Sequence, residues 1–276
     1  MSSIIIKRLT LENILYLAKK MAKLCYKVGI SKTDDEEQRV FKWNPVGNDY
    51  IFWQDGHLYY SESVESTKSV RITDDRPNWE HGILQSIYEE KKIHRNSFFG
   101  TLGYYRGPAI WWSLKGQKLA LTSCEMTKQK SVYMTSYSKN EKYPILVEVP
   151  FAKTHERQTS TCVINIWDKK TRVLKQMDVQ LRNSTPLHHL YGVKWIVMKG
   201  KELLVAIWAN MIQTHIFVTI CDHTIGVCKL VFEHKYPNRT WAEPMDFMSL
   251  LSTDDAMYTL LPLPLRMEIV TSTSPN

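Results

Sequence analysis

Along most of the chain, short runs of apolar and aromatic residues alternate with polar turns, a pattern that predicts short β-strands. Residues 50–53 read Tyr-Ile-Phe-Trp, Asp55-Gly56 is a typical hairpin turn, and residues 57–60 return as His-Leu-Tyr-Tyr. The 9 Trp and 14 Tyr favour the same structure, because aromatic side chains pack well on pleated strands. From Val40 onward the pattern predicts an all-β fold.

The unit of an aromatic residue, a polar turn and a β-rich strand recurs along the chain. It appears again near residues 112–121, 195–208 and 247–260, at intervals of roughly 50–85 residues. This spacing is typical of β-propeller blades that carry insertions, each blade being four antiparallel strands. A β-sandwich also has many short strands and is the alternative, but the repeated unit favours the propeller.

Residues 9–27 differ, since their apolar positions repeat at helical spacing while Lys19, Lys20 and Lys23 fall on another face. Thr10 is a suitable N-cap. The segment is predicted to be an amphipathic helix, followed by a polar linker to residue 37. A basic helix of this kind can lie on an anionic membrane, although packing against protein is favoured because apolar faces usually find protein.

The net charge of +8 does not by itself indicate a nucleic-acid-binding protein. Residues 1–30 hold six basic residues and one carboxylate, a net +5, which leaves only +3 for the other 246 residues. No basic stripe with interleaved aromatics stands out among those residues, so we expect no nucleic-acid partner.

The five cysteines do not form a metal-site spacing, and the histidines have no ligand partners at useful spacing, so neither a metal nor a cofactor is expected. Cys221 and Cys228 flank a turn at Gly226, and a hairpin can bring such a pair into bonding range. Cys25, Cys124 and Cys162 have no obvious partner. The chain contains neither a run of about 18 apolar residues nor a continuous signal-peptide core.

Glu89 and Glu90 are adjacent carboxylates that follow an aromatic-rich, weakly charged run. Neighbouring carboxylates repel one another, so a pair held in a cavity favours a cation such as the α-ammonium group of a substrate. A solvated surface pair is the alternative.

Six short segments stand out in order along the chain: His81-Gly82-Ile83, Glu89-Glu90, Trp111-Trp112-Ser113, residues 143–153, residues 218–222 with Cys228, and Ala242-Glu243-Pro244. In this order they resemble the propeller of the dipeptidyl peptidase IV family. The resemblance spans roughly residues 38–261, about half of the family's eight-bladed propeller.

The resemblance implies a partial propeller over residues 38–261, preceded by the helix and linker of residues 1–37 and followed by a disordered tail over 262–276. It implies that Glu89 and Glu90 bind the N-terminal amine of X-Pro or X-Ala peptides, and that Cys221 pairs with Cys228. It also implies a homodimer formed through an arm at residues 124–153, and an α/β-hydrolase domain in full-length relatives.

Two departures from the family pattern affect the expected function. The 276 residues contain no Gly-x-Ser-x-Gly motif, so no catalytic residue is expected in them. Lys91 stands where the family has a third glutamate, and it would weaken amine binding by competing for Glu90. The expected function is the substrate-gating propeller of a dipeptidyl peptidase IV-like serine exopeptidase; the alternative is a non-enzymatic interaction or dimerisation module.

Only the resemblance indicates a cellular location, and it implies a type II plasma-membrane protein or a secreted protein. Asn183 and Asn238 lie in glycosylation sequons that matter only on the secretory path. Because this chain shows no signal or membrane segment, we expect a truncated gene model, a splice form or a degenerate paralogue.

Overall fold

The computed structural model describes residues 14–19, 22–27, 40–66, 68–86, 105–125, 131–137, 143–150, 162–181, 189–237, 240, 242, 250–252, 256–263 and 266–273. Within these ranges every regular element is a β-strand, as the alternating pattern predicts. A helix with the length and apolar character needed to cross a bilayer is therefore not found in the described ranges.

The prediction of an N-terminal helix is wrong for the described residues. Strands β1 (Ile14–Lys19) and β2 (Ala22–Lys27) pair as an antiparallel hairpin. The pairing sets Leu15 opposite Tyr26 and Leu17 opposite Leu24. Short apolar runs do not distinguish strand from helix by periodicity alone.

The first sheet is a four-stranded antiparallel meander in the order β3-β4-β5-β6. Its strands are β3 (Phe41–Trp43), β4 (Tyr50–Gln54), β5 (His57–Ser61) and β6 (Val70–Arg71). The Asp55-Gly56 turn joins β4 to β5, and both turn residues have positive φ, at 50° and 82°. The predicted hairpin is confirmed.

The second sheet has the order β10-β11-β14-β15, with β7 also paired to β11. Its strands are β7 (Trp79–His81), β10 (Ile110–Trp112), β11 (Lys118–Glu125), β14 (Cys162–Asp168) and β15 (Leu174–Gln176). Two hairpins are inserted in it. One is β8 (Ile83–Ser86) with β9 (Tyr105–Pro108), and the other is β12 (Ser131–Ser136) with β13 (Ile145–Pro150).

The third sheet has the order β16-β20-β19-β18-β17. The four strands β17 (His189–Met198), β18 (Lys201–Ala209), β19 (His215–Asp222) and β20 (Val227–Lys235) form an antiparallel meander. Strand β16 (Asp178–Gln180) pairs in parallel with β20. Because β16 follows β15 after a single residue, this pairing ties the second sheet to the third.

The fourth sheet consists of β21 (Leu250–Ser252), β22 (Ala256–Leu263) and β23 (Arg266–Thr273). Strand β23 pairs with β22 from Ala256↔Thr273 to Leu263↔Arg266. The prediction of a disordered tail over 262–276 is therefore wrong for Arg266–Thr273.

The central sheets are buried on both faces. In β11, Leu119 and Leu121 pack into a cluster shared with the first sheet, whereas Ala120 packs into a cluster shared with the third. In β18, Leu204 and Trp208 face the second sheet, and Val205 and Ile207 face the opposite side. Successive meanders stacked face to face in this way form an open, partial β-propeller, as predicted.

Candidate functional site

The predicted amine-binding residues Glu89 and Glu90 lie between β8 and β9 in the sequence, together with Lys91, and all three fall outside the described residues. The structure describes the stem of this insertion, where Ile83 pairs with Pro108 and Ser86 pairs with Tyr105.

Gly82 anchors the base of that stem to the second sheet through a closed set of backbone hydrogen bonds. The Gly82 N–H donates to Thr122 O at 2.7 Å, Ala109 N–H donates to Gly82 O at 2.8 Å, and Thr122 N–H donates to Ala109 O at 3.1 Å. Gly82 has φ of +70°, and an added Cβ would lie 2.5 Å from Leu58 Cδ1. Only glycine allows this conformation and this close approach.

His81 fixes the same base through side-chain hydrogen bonds in the core. Its Nδ1 lies 2.8 Å from Ser123 Oγ, and the Asn165 side-chain amide donates to that oxygen at 2.7 Å. The Ser123 hydroxyl thus joins the imidazole of His81 to the side chain of Asn165. Burial lowers the pKa of His81 to about 4, so the ring is neutral at pH 7.

Ser123, His81 and Asp74 are the residue types of a hydrolase catalytic triad, but their geometry is not that of a triad. His81 Nε2 is 3.6 Å from Asp74 Oδ1, which is longer than a hydrogen bond. Ser123 and His81 are 0% and 1% exposed, so the hydroxyl cannot meet a substrate. These side chains hold β7 against β11 and position the stem of the insertion.

A cavity of about 400 Å³ lies beside this network. It is lined by Ile72, Thr73, Asp74, Arg76, Asn165, Leu174 and Gln176. Arg76 Nε is 3.0 Å from both carboxylate oxygens of Asp74, and its guanidinium lies 4.2 Å from the Trp79 ring centroid. Burial opposes ionisation of Asp74, but the hydrogen bonds from Arg76 outweigh it and lower the pKa of that carboxyl. Because the two charges offset one another, the cavity offers no strong attraction for a charged ligand.

Two disulfides are present in the described residues. Cys221 and Cys228 are direct partners across the β19–β20 hairpin and form the predicted bond. Cys124 and Cys162, which the sequence left without an obvious partner, form the second bond between β11 and β14. Their positions just before and just after the segment carrying β12 and β13 were the signal that could have revealed the pair.

The predicted arm contains a two-stranded ribbon that pairs with no other described strand. Tyr137 and Tyr143 are 81% and 80% exposed, and Tyr133 and Leu146 are also exposed. An isolated hairpin is only marginally stable in water, and exposed aromatic side chains of this kind favour contact with another protein surface.

Asn183 and Asn238 fall outside the described residues. No group of three or more His, Cys, Asp or Glu side chains arranged to hold a metal ion occurs in the part of the chain that the structure describes.

Comparison with known proteins gives a consistent result. Residues 15–263 match the family model described as the dipeptidyl peptidase IV N-terminal region. The chain is 35% identical to "Dipeptidyl peptidase family member 1" of Caenorhabditis elegans, over 87% of this chain and 29% of that protein. It is 22% identical to "Inactive dipeptidyl peptidase 10" of Rattus norvegicus, over 82% of this chain and 26% of that protein.

The fold also matches a solved structure. The crystal structure of Porphyromonas gingivalis dipeptidyl peptidase 4 superposes with a TM-score of 0.64 at 15% identity, covering 94% of this chain and 36% of that one. The chain thus spans about a third or less of each of these proteins.

Proposed function

Because the chain belongs to the dipeptidyl peptidase IV N-terminal region family, we propose that it is the substrate-gating propeller of a dipeptidyl peptidase IV-like serine exopeptidase. In this role it admits X-Pro or X-Ala peptides and holds their N-terminal amine, while an α/β-hydrolase domain performs the cleavage. The observation that carries the proposal is the family match across residues 15–263, which includes the insertion bearing Glu89 and Glu90.

The described base of that insertion supports the proposal. The Gly82 backbone bonds and the His81–Ser123 contact fix the stem at two adjacent positions on β11. A fixed stem limits the conformational entropy that the acidic segment loses on binding a ligand, which favours recognition of a small charged group. Glu90 is the residue we propose for the ammonium contact, and Lys91 reduces its attraction for an incoming amine.

Calorimetry with the dipeptide Ile-Pro tests this assignment. Lys91→Glu should strengthen binding by about 1.5–3 kcal/mol, the contribution of a charge-assisted hydrogen bond. Lys91→Gln is the matched control, because it removes the competing ammonium without adding a carboxylate, and it should give a smaller gain. Adding Glu90→Gln to the Lys91→Glu variant should remove most of the gain. Equal binding by all four proteins would show that the acidic pair is a surface feature.

The alternative is a non-enzymatic interaction or dimerisation module that acts through the arm at residues 124–153. The specific observation in its favour is the ribbon of β12 and β13 with its exposed tyrosines. A similar protein is named "Inactive dipeptidyl peptidase 10". Under this proposal the arm pairs with the arm of a second copy.

Sedimentation velocity distinguishes the alternative. The double substitution Tyr137→Ser and Tyr143→Ser should shift a dimer toward monomer, because it removes exposed apolar area on the ribbon. Ile212→Ser is the control, since Ile212 is 69% exposed on the β18–β19 turn, away from the ribbon. A wild-type chain that sediments as a monomer at all concentrations would exclude dimerisation through the arm.

A further inference from the structure

Six lysines lie on or beside four turns at one end of the second and third sheets. We call this surface the lysine face; its lysines are Lys115, Lys118, Lys170, Lys175, Lys199 and Lys201. Strand pairing places these residues at one end of each sheet. Lys118 pairs with Asp168 in the second sheet, and Met198 pairs with Lys201 in the third.

Contacts between the two sheets make the lysine face continuous. The Lys115 N–H donates to Glu202 Oε1 at 2.8 Å, and Lys175 Nζ donates to Thr224 O at 3.3 Å. Within the second sheet, Lys169 N–H donates to Gln117 O at 2.9 Å. The turns therefore lie side by side, although up to about a hundred residues of sequence separate them.

The carboxylates of these turns hydrogen-bond to backbone groups. Asp168 Oδ1 accepts from the N–H groups of Lys170 and Thr171, both at 2.9 Å, and Asp222 Oδ1 accepts from Thr224 N–H at 2.8 Å. Glu202 accepts from Lys115 N–H in the same way. Asp178 also lies beside these turns, because its N–H donates to Gly226 O at 2.9 Å. Four carboxylates against six lysines leave a positive surface. The same field acts on His223, whose pKa is lowered first by burial and next by Lys118.

We propose that the lysine face binds sulfated polysaccharide, an extended polyanion with closely spaced sulfate groups. Lysine ammonium groups on adjacent turns suit such a chain, because each is a compact charge on a flexible stem and needs no fixed pocket. The two disulfides form in oxidising compartments outside the cytosol, where sulfated polysaccharide is available to the folded protein.

Other anionic partners fit the lysine face less well. The turns carry no Phe, Tyr or Trp, whereas proteins that bind single-stranded nucleic acid usually stack bases on aromatic rings. Leu114, Val173 and Ile225 are exposed on the same turns, which resembles a membrane contact. However, anionic lipids are concentrated on the cytoplasmic leaflet, on the opposite side of the membrane from proteins with structural disulfides.

Heparin-affinity chromatography of the full chain tests the proposal. The substitution pair Lys170→Gln and Lys201→Gln removes two exposed lysines from two turns of the lysine face. The control pair Lys194→Gln and Lys235→Gln removes two exposed lysines from β17 and from the other end of β20. The first pair should elute from heparin at clearly lower NaCl than the control. For the first pair, the slope of log Kd against the logarithm of the NaCl concentration should be smaller than that of the wild type by roughly two. Counterion release predicts this change for two lost contacts.

Chromatography on a cation-exchange resin shows whether a change in elution comes from specific binding or from net charge alone. Both variants lose the same charge, so they should elute together from a sulfopropyl resin and separately from heparin. Elution of both variants at the same NaCl concentration from heparin would overturn the proposal. Retention of the wild-type chain on phosphatidylserine vesicles without retention on heparin would also overturn it and assign the face to anionic lipid.

Discussion

Cys124 lies directly opposite Cys162 across the pairing of β11 and β14, and the disulfide between them closes the base of the segment that carries β12 and β13. The bond spans 38 residues of sequence, whereas the Cys221–Cys228 bond spans 7. The two bonds thus differ mainly in the length of the loop that each one closes.

Removing the two disulfides separately should give different losses of stability. By loop-closure entropy, Cys124→Ser with Cys162→Ser should lower the free energy of unfolding by about 4 kcal/mol, and Cys221→Ser with Cys228→Ser by about 2 kcal/mol. Urea titration of each oxidised variant measures both values, and the oxidised wild type serves as the reference. A larger loss for the Cys221–Cys228 pair would contradict the entropic explanation. Peptide mapping that finds these thiols free in protein made in an oxidising compartment would contradict the pairings themselves.

Substituting alanine for Gly82 should destabilise the fold by about 1–3 kcal/mol. The added Cβ would approach Leu58 Cδ1 to 2.5 Å and the backbone would keep a positive φ. Gly200→Ala is the matched control, because Gly200 has φ of +72° and nothing within 4 Å of an added Cβ. Thermal unfolding of both variants separates the steric effect from the backbone effect. Equal losses would show that the contact with Leu58 relaxes without cost.

Stability should depend on the protonation of His81. Its pKa falls from 6.5 in the unfolded chain to about 4 in the fold. Between these values the unfolded state binds more protons than the folded state, so stability is complete above pH 6.5 and is lost as the pH falls toward 4. The loss attributable to His81 should be about 2–3 kcal/mol. Urea unfolding of wild type and His81→Gln between pH 4 and pH 7 isolates this part, because other histidines contribute equally to both. Parallel pH profiles would show that His81 does not titrate in this range.

The 276-residue chain should not hydrolyse Gly-Pro or Ala-Pro chromogenic substrates. Its sequence contains no Gly-x-Ser-x-Gly motif, and Ser123, whose hydroxyl contacts His81, is fully buried. Replacing Ser123 by alanine provides the control, since any trace activity should be unaffected by it. Turnover that a serine-directed reagent abolishes would contradict this expectation.

Local patterns were sufficient for the elements that neighbouring residues define. The Asp55-Gly56 hairpin and the Cys221–Cys228 bond both follow from a turn and its two flanking strands, and both are confirmed. The order of motifs along the chain also indicated the family and the partial propeller. The N-terminal helix was wrong because short apolar runs satisfy helical and strand periodicity equally well.

The sequence by itself determined the all-β class, the strand-and-turn repeat and the local hairpins, because each depends on residues close together in the chain. Only the tertiary structure decided the features that unite distant segments. The Cys124–Cys162 bond needs the pairing of β11 with β14, and the contact of His81 with Ser123 needs the pairing of β7 with β11. The lysine face likewise forms only when two sheets bring separate turns together. Long-range strand pairing sets these positions, and it leaves no periodic signal in the sequence.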